Sequence, residues 1–188
     1  MPKKSELVRY VQEYLGQELR AVSSRTVELA QSILSLEEGA LIYKYSEDGY
    51  EAVNSALRNS SGETQTQMGK FLDMTIRKLP DYRGLVYRCA NLNPRQLQTY
   101  IDACEKNSIL VEHTFISTSA SYSVANMFGG NCKFEMISRS GKLIEKYAKY
   151  GTGSGQNEHE VLFRPNRKFR VLEVTKLIGH SLIVMEEI

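Results

Sequence analysis

Gln156-Asn157-Glu158-His159-Glu160-Val161-Leu162-Phe163 is the stretch from which the fold and the chemistry of this 188-residue chain are read. Its alternation fits a β-strand, in which successive side chains point to opposite faces. Glu158, Glu160 and Leu162 then share one face, while His159, Val161 and Phe163 share the other, the side expected to meet the core. Two carboxylates at i and i+2 on a strand lie roughly 6–7 Å apart at their Cα atoms. That separation suits divided labour on one reacting centre, where one acid stabilises a sugar cation and its neighbour acts as a base on the incoming nucleophile. An E-x-E pair is equally the mark of a solvated strand face, so its meaning depends on its surroundings.

The residues before it, Tyr150-Gly151-Thr152-Gly153-Ser154-Gly155, form a glycine-rich segment expected to be a mobile loop leading into the strand. It is no phosphate-binding P-loop, because no Gly-Lys-Ser/Thr follows, and no dinucleotide fingerprint, because it opens a strand and not a helix.

Working outward, the length allows one domain or two closely joined lobes, and an apolar share of 41% is ordinary for a globular protein. The formal charge of +2 comes from acids and bases mixed along the chain, which implies neither a nucleic-acid surface nor a membrane surface. No apolar run reaches the roughly 18 residues needed to span a bilayer. The basic start, Lys3-Lys4, is followed by polar and tyrosine-bearing residues where a signal peptide needs an apolar core, so no cleavable leader is expected. Cys89, Cys104 and Cys132 are odd in number and widely spread, which predicts thiols and not a disulfide framework. His113, His159 and His180 lack a Cys or His at ligand spacing, so no metal site is expected.

Leu7, Tyr10, Val11, Tyr14 and Leu15 make a helical stripe. Ser24 is expected to cap a second helix carrying Val27, Ala30, Ile33 and Leu34, and Ser35-Leu36-Glu37-Glu38 reads as a capping box opening a third that Gly39 weakens. Ser46 is expected to cap a segment with Tyr50, Val53, Asn54 and Leu57 that stops at Ser60-Ser61-Gly62, and Met68, Phe71, Leu72, Ile76 and Leu79 mark another helix before Pro80. Beyond Pro80 the period changes. Leu85–Cys89 and Phe115–Ser119 read as strands, Asn93-Pro94 opens a helix with Leu97, Tyr100, Ile101 and Cys104 on one face, and Ser121–Phe128 is a short helix closed by Gly129-Gly130. Strands follow over 133–138, 158–163, 169–175 and 182–186, the last two joined by a hairpin or short loop. The pattern predicts an α+β protein, helices first and a mainly antiparallel β core second, with a helical lobe over 1–80 and a β-rich core over 81–188 of a single domain.

Three motifs in order then become recognisable: Leu85-Val86-Tyr87-Arg88 at a strand end, Ser117-Thr118-Ser119 on a second strand, and the E-x-E strand ending in Val161-Leu162-Phe163 with Pro165 after it. This order resembles the Arg/Ser-Thr-Ser/Glu class of mono-ADP-ribosyltransferases, in particular the bacterial exoenzyme and toxin members of the arginine-specific E-x-E type. The segment from Ala40 to Arg58, Phe128-Gly129-Gly130, and Asn166 to Val171 lie where that family has comparable segments, so the resemblance covers about residues 36–188. It implies N-terminal helices packed on a mainly antiparallel β-sandwich core, with the helices acting as a lid over a cleft for NAD+.

The resemblance also implies roles. Arg88 would hold the NAD+ pyrophosphate through charge-assisted hydrogen bonds, Ser117 would orient Glu160, and Thr118 and Ser119 would line the cofactor site beside it. Glu160 would bond the nicotinamide-side ribose and stabilise its oxocarbenium-like state, and Glu158 would serve the acceptor. In the family a glutamate two residues before the catalytic one goes with arginine acceptors and a glutamine with others. This sequence offers both registers, since Gln156-Asn157-Glu158 is itself a Q-x-E, but Val161-Leu162-Phe163 and Pro165 align with the family when Glu160 is catalytic. One departure is Cys89, where the family commonly has a glycine whose backbone approaches the nicotinamide amide. Phe128 is a candidate to pack on nicotinamide or ribose and equally a candidate core residue.

The function implied is transfer of ADP-ribose from NAD+ to a protein side chain, arginine first, with no metal, no nucleic-acid partner and no membrane span. Alternatives on the same residues are an NAD+ glycohydrolase and an inactive fold kept as a binding module. Members of this size are often toxins or effectors, so action in the cytosol of a host or competitor cell, a target protein and a delivery or neutralising partner are expected.

Overall fold

A computed structural model of the chain describes residues 3–25, 32–152 and 154–188. The chain separates into two compact units: Met1–Pro80 with Leu143–Glu160, and Asp81–Lys142 with Val161–Ile188. The helical lobe expected over the first eighty residues thus takes in an excursion from the second half of the chain.

The first unit contains α1 (Lys4–Tyr14), α2 (Gly16–Ser23), α3 (Leu36–Lys44), α4 (Tyr50–Asn59) and α5 (Gln67–Ile76). Helix α1 buries Leu7 and Val11, two residues of its expected stripe, whereas Tyr14 is exposed. Helix α3 opens with the expected capping box, Ser35 Oγ accepting from Glu38 N at 3.3 Å and Glu38 Oε2 accepting from Ser35 N at 3.1 Å. Gly39 is there for packing: a Cβ at that position would stand 2.9 Å from Val22 Cγ1 and 3.3 Å from Tyr147 Cδ1. Ile144, Tyr147 and Ala148 of the returning excursion are buried in this unit together with Ala40, Leu41, Ile42, Tyr45, Phe71 and Leu72.

Two expectations for this unit are corrected. Ser46 caps no new helix; the chain runs from α3 into α4 through a π-helical turn, Tyr45–Gly49, which lets Ser46 Oγ donate to Tyr43 O and accept from Lys149 N at 2.8 Å. Ser24 is the C-cap of α2, and Ile33 and Leu34 lie in a bend and not on a helix. The rest of the second expected helix, Val27 and Ala30 included, lies outside the described residues. Helix α2 was missed because its apolar signal is only Leu19 and Val22 after Leu15.

The second unit is built on β1 (Tyr82–Ala90), β2 (Ile109–Glu112), β3 (Ile116–Ser119), β4 (Cys132–Leu143), β5 (Glu160–Phe163), β6 (Arg167–Leu177) and β7 (His180–Glu187), with helices α6 (Pro94–Glu105) and α7 (Tyr122–Met127). Glu160, which opens β5, is the last residue of the first unit. The strand order is β1-β3-β5-β4-β7-β6-β2, and β1 also pairs with β4, so β1, β3, β5 and β4 close on one another. Strand β4 pairs antiparallel with β1 along its length and parallel with β7 over Cys132–Ile137. The β1–β3, β2–β6 and β6–β7 pairs are antiparallel, and β6 and β7 form the expected hairpin. Val86, Phe134, Met136, Val161, Phe163, Phe169, Val171, Ile183 and Met185 make the core. Strand β2 escaped prediction because Ile109-Leu110-Val111 is a short apolar run with no alternation to register.

Candidate active site

Strand β1 carries Arg88 beside β3. Arg88 Nη1 donates to the carbonyl of Ser117 at 2.6 Å, so the first two sequence motifs meet directly, and the guanidinium is anchored on the main chain and not on the serine hydroxyl. The partner of Arg88 across the other pairing is Phe134 of β4. Asn93 and Asn131 fix the exit of β1: Asn131 bonds both backbone groups of Leu92, and Asn93 closes a capping box with Gln96 at the start of α6.

Ser117 is half-buried, while Thr118 and Ser119 are buried. The Thr118 hydroxyl donates to Val161 O at 2.7 Å, tying β3 to the residue that follows Glu160. The Ser119 oxygen accepts from Ser121 N at 3.0 Å and so braces the start of α7. Thr118 and Ser119, expected to line the cofactor site, make these contacts within and beside β3. Cys89 Sγ lies 3.9 Å from Asn126 Oδ1 of α7, and the thiol shares a concavity with Tyr87, Arg88, Tyr122, Asn126 and Lys133. All three cysteines are free thiols. Phe128 is 62% exposed and Met127 82% exposed at the end of α7, so Phe128 is not a core residue. Gly130 explains the tight return: a Cβ there would stand 2.6 Å from Ala90 O.

Sequence reasoning missed a polar pair in a second concavity that Arg88 also lines. Tyr100 Oη of α6 donates to Glu112 Oε1 of β2 at 2.5 Å. Burial holds the Glu112 carboxyl above the usual carboxylate range, opposed by the Tyr100 hydrogen bond and the charge of Arg88, and burial likewise raises the Tyr100 phenol. Tyr100 was visible only as one residue of the α6 stripe.

The acidic stretch differs from its expected geometry. Strand β5 begins at Glu160, not Glu158, because His159 has φ 47°, the left-handed region that breaks strand alternation. Glu158 and Glu160 are therefore not two steps along one strand face. His159, expected to face the core, is exposed. Glu160 is 5% exposed and its carbonyl accepts from Ile144 N at 2.9 Å. Glu158 is half-buried, its amide donates to Tyr150 O at 2.9 Å, and burial raises its carboxyl pKa. The two acids sit in unlike environments, which is how neighbouring carboxylates acquire different roles.

The segment before them carries defined hydrogen bonds: Thr152 N donates to Glu145 O at 2.9 Å, and Ser154 Oγ donates to Gly151 O at 2.8 Å. Gly153 lies outside the described residues. Gly151 is required by close approach, since a Cβ there would stand 1.8 Å from Glu145 O. Gly151→Ala is expected to lower stability by about 1–3 kcal/mol in urea denaturation. Gly155→Ala has open space and only its φ of +76° to contend with, so its cost should be at most about 1–2 kcal/mol. Equal midpoints for Gly151→Ala and the unsubstituted protein would contradict the steric account.

The family model for the ADP-ribosyltransferase exoenzyme matches residues 20–188. The chain belongs to this exoenzyme family. It is 30% identical over 159 residues to the putative NAD(+)–arginine ADP-ribosyltransferase Mav of Mycobacterium avium, covering 82% of this chain and 18% of that protein. It is 30% identical over 179 residues to the NAD(+)–protein-arginine ADP-ribosyltransferase Tre1 of Serratia proteamaculans, covering 92% of this chain and 36% of that protein. The chain thus spans between about a fifth and about a third of the length of these exoenzyme relatives. Among solved structures, exoenzyme S of Pseudomonas aeruginosa, in complex with human 14-3-3 protein beta and bound to Carba-NAD, superposes with a TM-score of 0.75 at 20% identity, covering 97% of this chain and 88% of that one. The shared fold is that of the exoenzymes, α+β with a mainly antiparallel sheet. Among the described residues, no group of three or more His, Cys, Asp or Glu side chains is placed to hold a metal ion, and no helix is long and apolar enough to cross a membrane.

Proposed function

We propose that this chain is an NAD+-dependent mono-ADP-ribosyltransferase acting on arginine side chains of a target protein. The observation that carries the reading is the pairing of a buried acid, Glu160 at the head of β5, with a half-buried acid, Glu158, held outside the strand by the left-handed His159. The arginine ADP-ribosyltransferase names carried by Mav and Tre1 support the acceptor class, and the Carba-NAD bound to exoenzyme S supports the donor.

In this reading the bond between the ribose C1′ and the nicotinamide nitrogen breaks, the electron pair leaving with nicotinamide. Glu160 stabilises the positive charge that develops on the ribose, in a site where removal from water strengthens the interaction. An arginine nitrogen then bonds to C1′ and its proton passes to Glu158. A guanidinium has a pKa above about 12 and is a poor nucleophile without such help. A carboxyl whose proton affinity is raised by burial accepts a proton more readily than an ordinary glutamate. Arg88 binds the pyrophosphate from β1, with its geometry set by the Ser117 carbonyl, and Ser117 lies on the strand next to β5 to orient Glu160. In this reading the unit of residues 1–80 with the returning segment 143–160 is the helical lobe, the unit of 81–142 with 161–188 is the NAD-binding core, and the protein acts as an effector or toxin in the cytosol of another cell.

Arg88→Ala is expected to weaken NAD+ binding by about tenfold or more, the loss of a charged hydrogen bond worth about 1.5–3 kcal/mol. Calorimetry checks it, with Arg88→Lys as a partner that keeps the charge but not the paired donors. Unchanged affinity in a folded Arg88→Ala protein would remove Arg88 from the site. The overall reading is tested by treating a cell lysate with the protein and isotopically labelled NAD+ and mapping modified peptides by mass spectrometry. Label on arginine supports it; label confined to another residue type, or free ADP-ribose alone, overturns the acceptor assignment.

A further inference from the structure

Glu145, in the turn after β4, places one carboxylate oxygen against both residues that flank Glu158. Asn157 Nδ2 donates to Glu145 Oε2 at 2.8 Å, and His159 Nδ1 lies 3.1 Å from the same oxygen, a separation that suits an Nδ1–H donor. Asn157 Oδ1 in turn accepts from His159 N at 2.9 Å, closing a small turn across Glu158. The main chain is tied at the same place: the Glu145 carbonyl accepts from Thr152 N, and the neighbouring Ile144 N donates to Glu160 O, both at 2.9 Å.

These contacts bear on a specific physical problem. Glu158 lies two residues before the start of β5 and next to His159 in a left-handed conformation, which a non-glycine residue keeps when its surroundings over-determine it. The surroundings here are the Glu145 carboxylate. Its side chain is 21% exposed against 46% for that of His159, so the acid is the sheltered member and the histidine closes over it.

We propose that Glu145 is the positioning residue for Glu158, fixing the acceptor-side acid by gripping Asn157 and His159 on either side. The proposal rests on the reading of Glu158 as the residue that serves arginine. Glu145 touches neither substrate nor reacting atoms in this scheme, so its loss should tell on the step that needs Glu158 and spare the one that needs only Glu160. A displacement of about 1 Å at a catalytic group costs up to about 10²-fold. Loosening one end of a turn should cost about tenfold.

The experiment compares Glu145→Ala, Glu145→Gln, Asn157→Asp and Glu158→Gln in the full chain. Each is assayed for ADP-ribosylation of agmatine, for nicotinamide release without acceptor, and for thermal unfolding. Glu145→Ala should lower agmatine labelling about tenfold while nicotinamide release stays within about twofold. Glu145→Gln keeps an oxygen for Asn157 and should recover most of the labelling. Asn157→Asp keeps the oxygen that accepts from His159 N but sets two carboxylates against each other, and should lower labelling as Glu145→Ala does. Asn157→Asp decides the question should Glu145→Ala fail to fold. Equal loss of both activities in step with a lowered Tm, or no loss at all, overturns the positioning role. If Glu158→Gln separates the two activities and the other variants do not, positioning alone fails. If Glu158→Gln does not separate them, the reading of Glu158 fails and this proposal falls with it.

Discussion

Glu160→Gln should lower nicotinamide release and arginine labelling together, each by on the order of 10²-fold or more. Glutamine has the size and shape of glutamate, and the backbone of residue 160 is held independently of its side chain by the bond from Ile144 N. Val161, Leu162 and Phe163 behind it are fully buried and anchor the strand. The substitution therefore removes a charge and leaves the frame. Because charge on the ribose develops in transfer and hydrolysis alike, both must suffer. A Glu160→Gln protein with normal Tm and undiminished nicotinamide release would take Glu160 out of the chemistry.

Glu158→Gln should behave differently. Arginine labelling should fall by on the order of 10²-fold, the scale of general-base catalysis, while nicotinamide release without acceptor stays within a few-fold because water asks less of a base. The pH dependence follows the same residue. Burial raises the Glu158 carboxyl pKa, so in the unsubstituted protein arginine labelling should begin to fail, as pH is lowered, at a higher pH than an ordinary glutamate would dictate. The sign for stability follows from linkage: the folded state binds this proton more tightly than the unfolded chain. Ionisation of Glu158 thus costs stability as pH rises from the unfolded pKa through the raised folded one. Glu158→Gln should accordingly be at least as stable as the unsubstituted protein at neutral pH, with the difference shrinking toward acid. A lower Tm at neutral pH with no change in labelling would mark Glu158 as a structural acid.

The parts of the fold legible in the sequence are those written in local rules. Ser35 with Glu38, Asn93 with Pro94 and Gln96, and Ser121 before a short helix start their helices where expected, because capping is decided within four residues. The motif arginine and the Ser-Thr-Ser strand were readable as residues, but what their atoms do was not. That Arg88 grips a carbonyl, and that the Thr118 hydroxyl donates to Val161 O, depends on neighbours brought in by the sheet. The same limit applies to the acidic stretch. Its alternation reads as a strand from Glu158, yet the conformation of His159 is bound up with Glu145, fourteen positions away. Composition marks the glycine-rich segment as a loop but does not show that Gly151 meets a steric demand set by Glu145 O. The π-helical turn at Tyr45–Gly49 is not announced by its residues, since Ser46 reads instead as the cap of a new helix.

The central claim is that NAD+ cleavage is coupled to arginine modification at this acid pair. It is tested most directly by incubating the protein with NAD+ and agmatine and following nicotinamide and ADP-ribosyl-agmatine together by mass spectrometry. The account predicts that with saturating agmatine the two products form in nearly equal amounts, and that Glu158→Gln breaks the equality by releasing nicotinamide without adduct. Nicotinamide release with no adduct from the unsubstituted protein, or equal adduct yields from the unsubstituted and Glu158→Gln proteins, would contradict it.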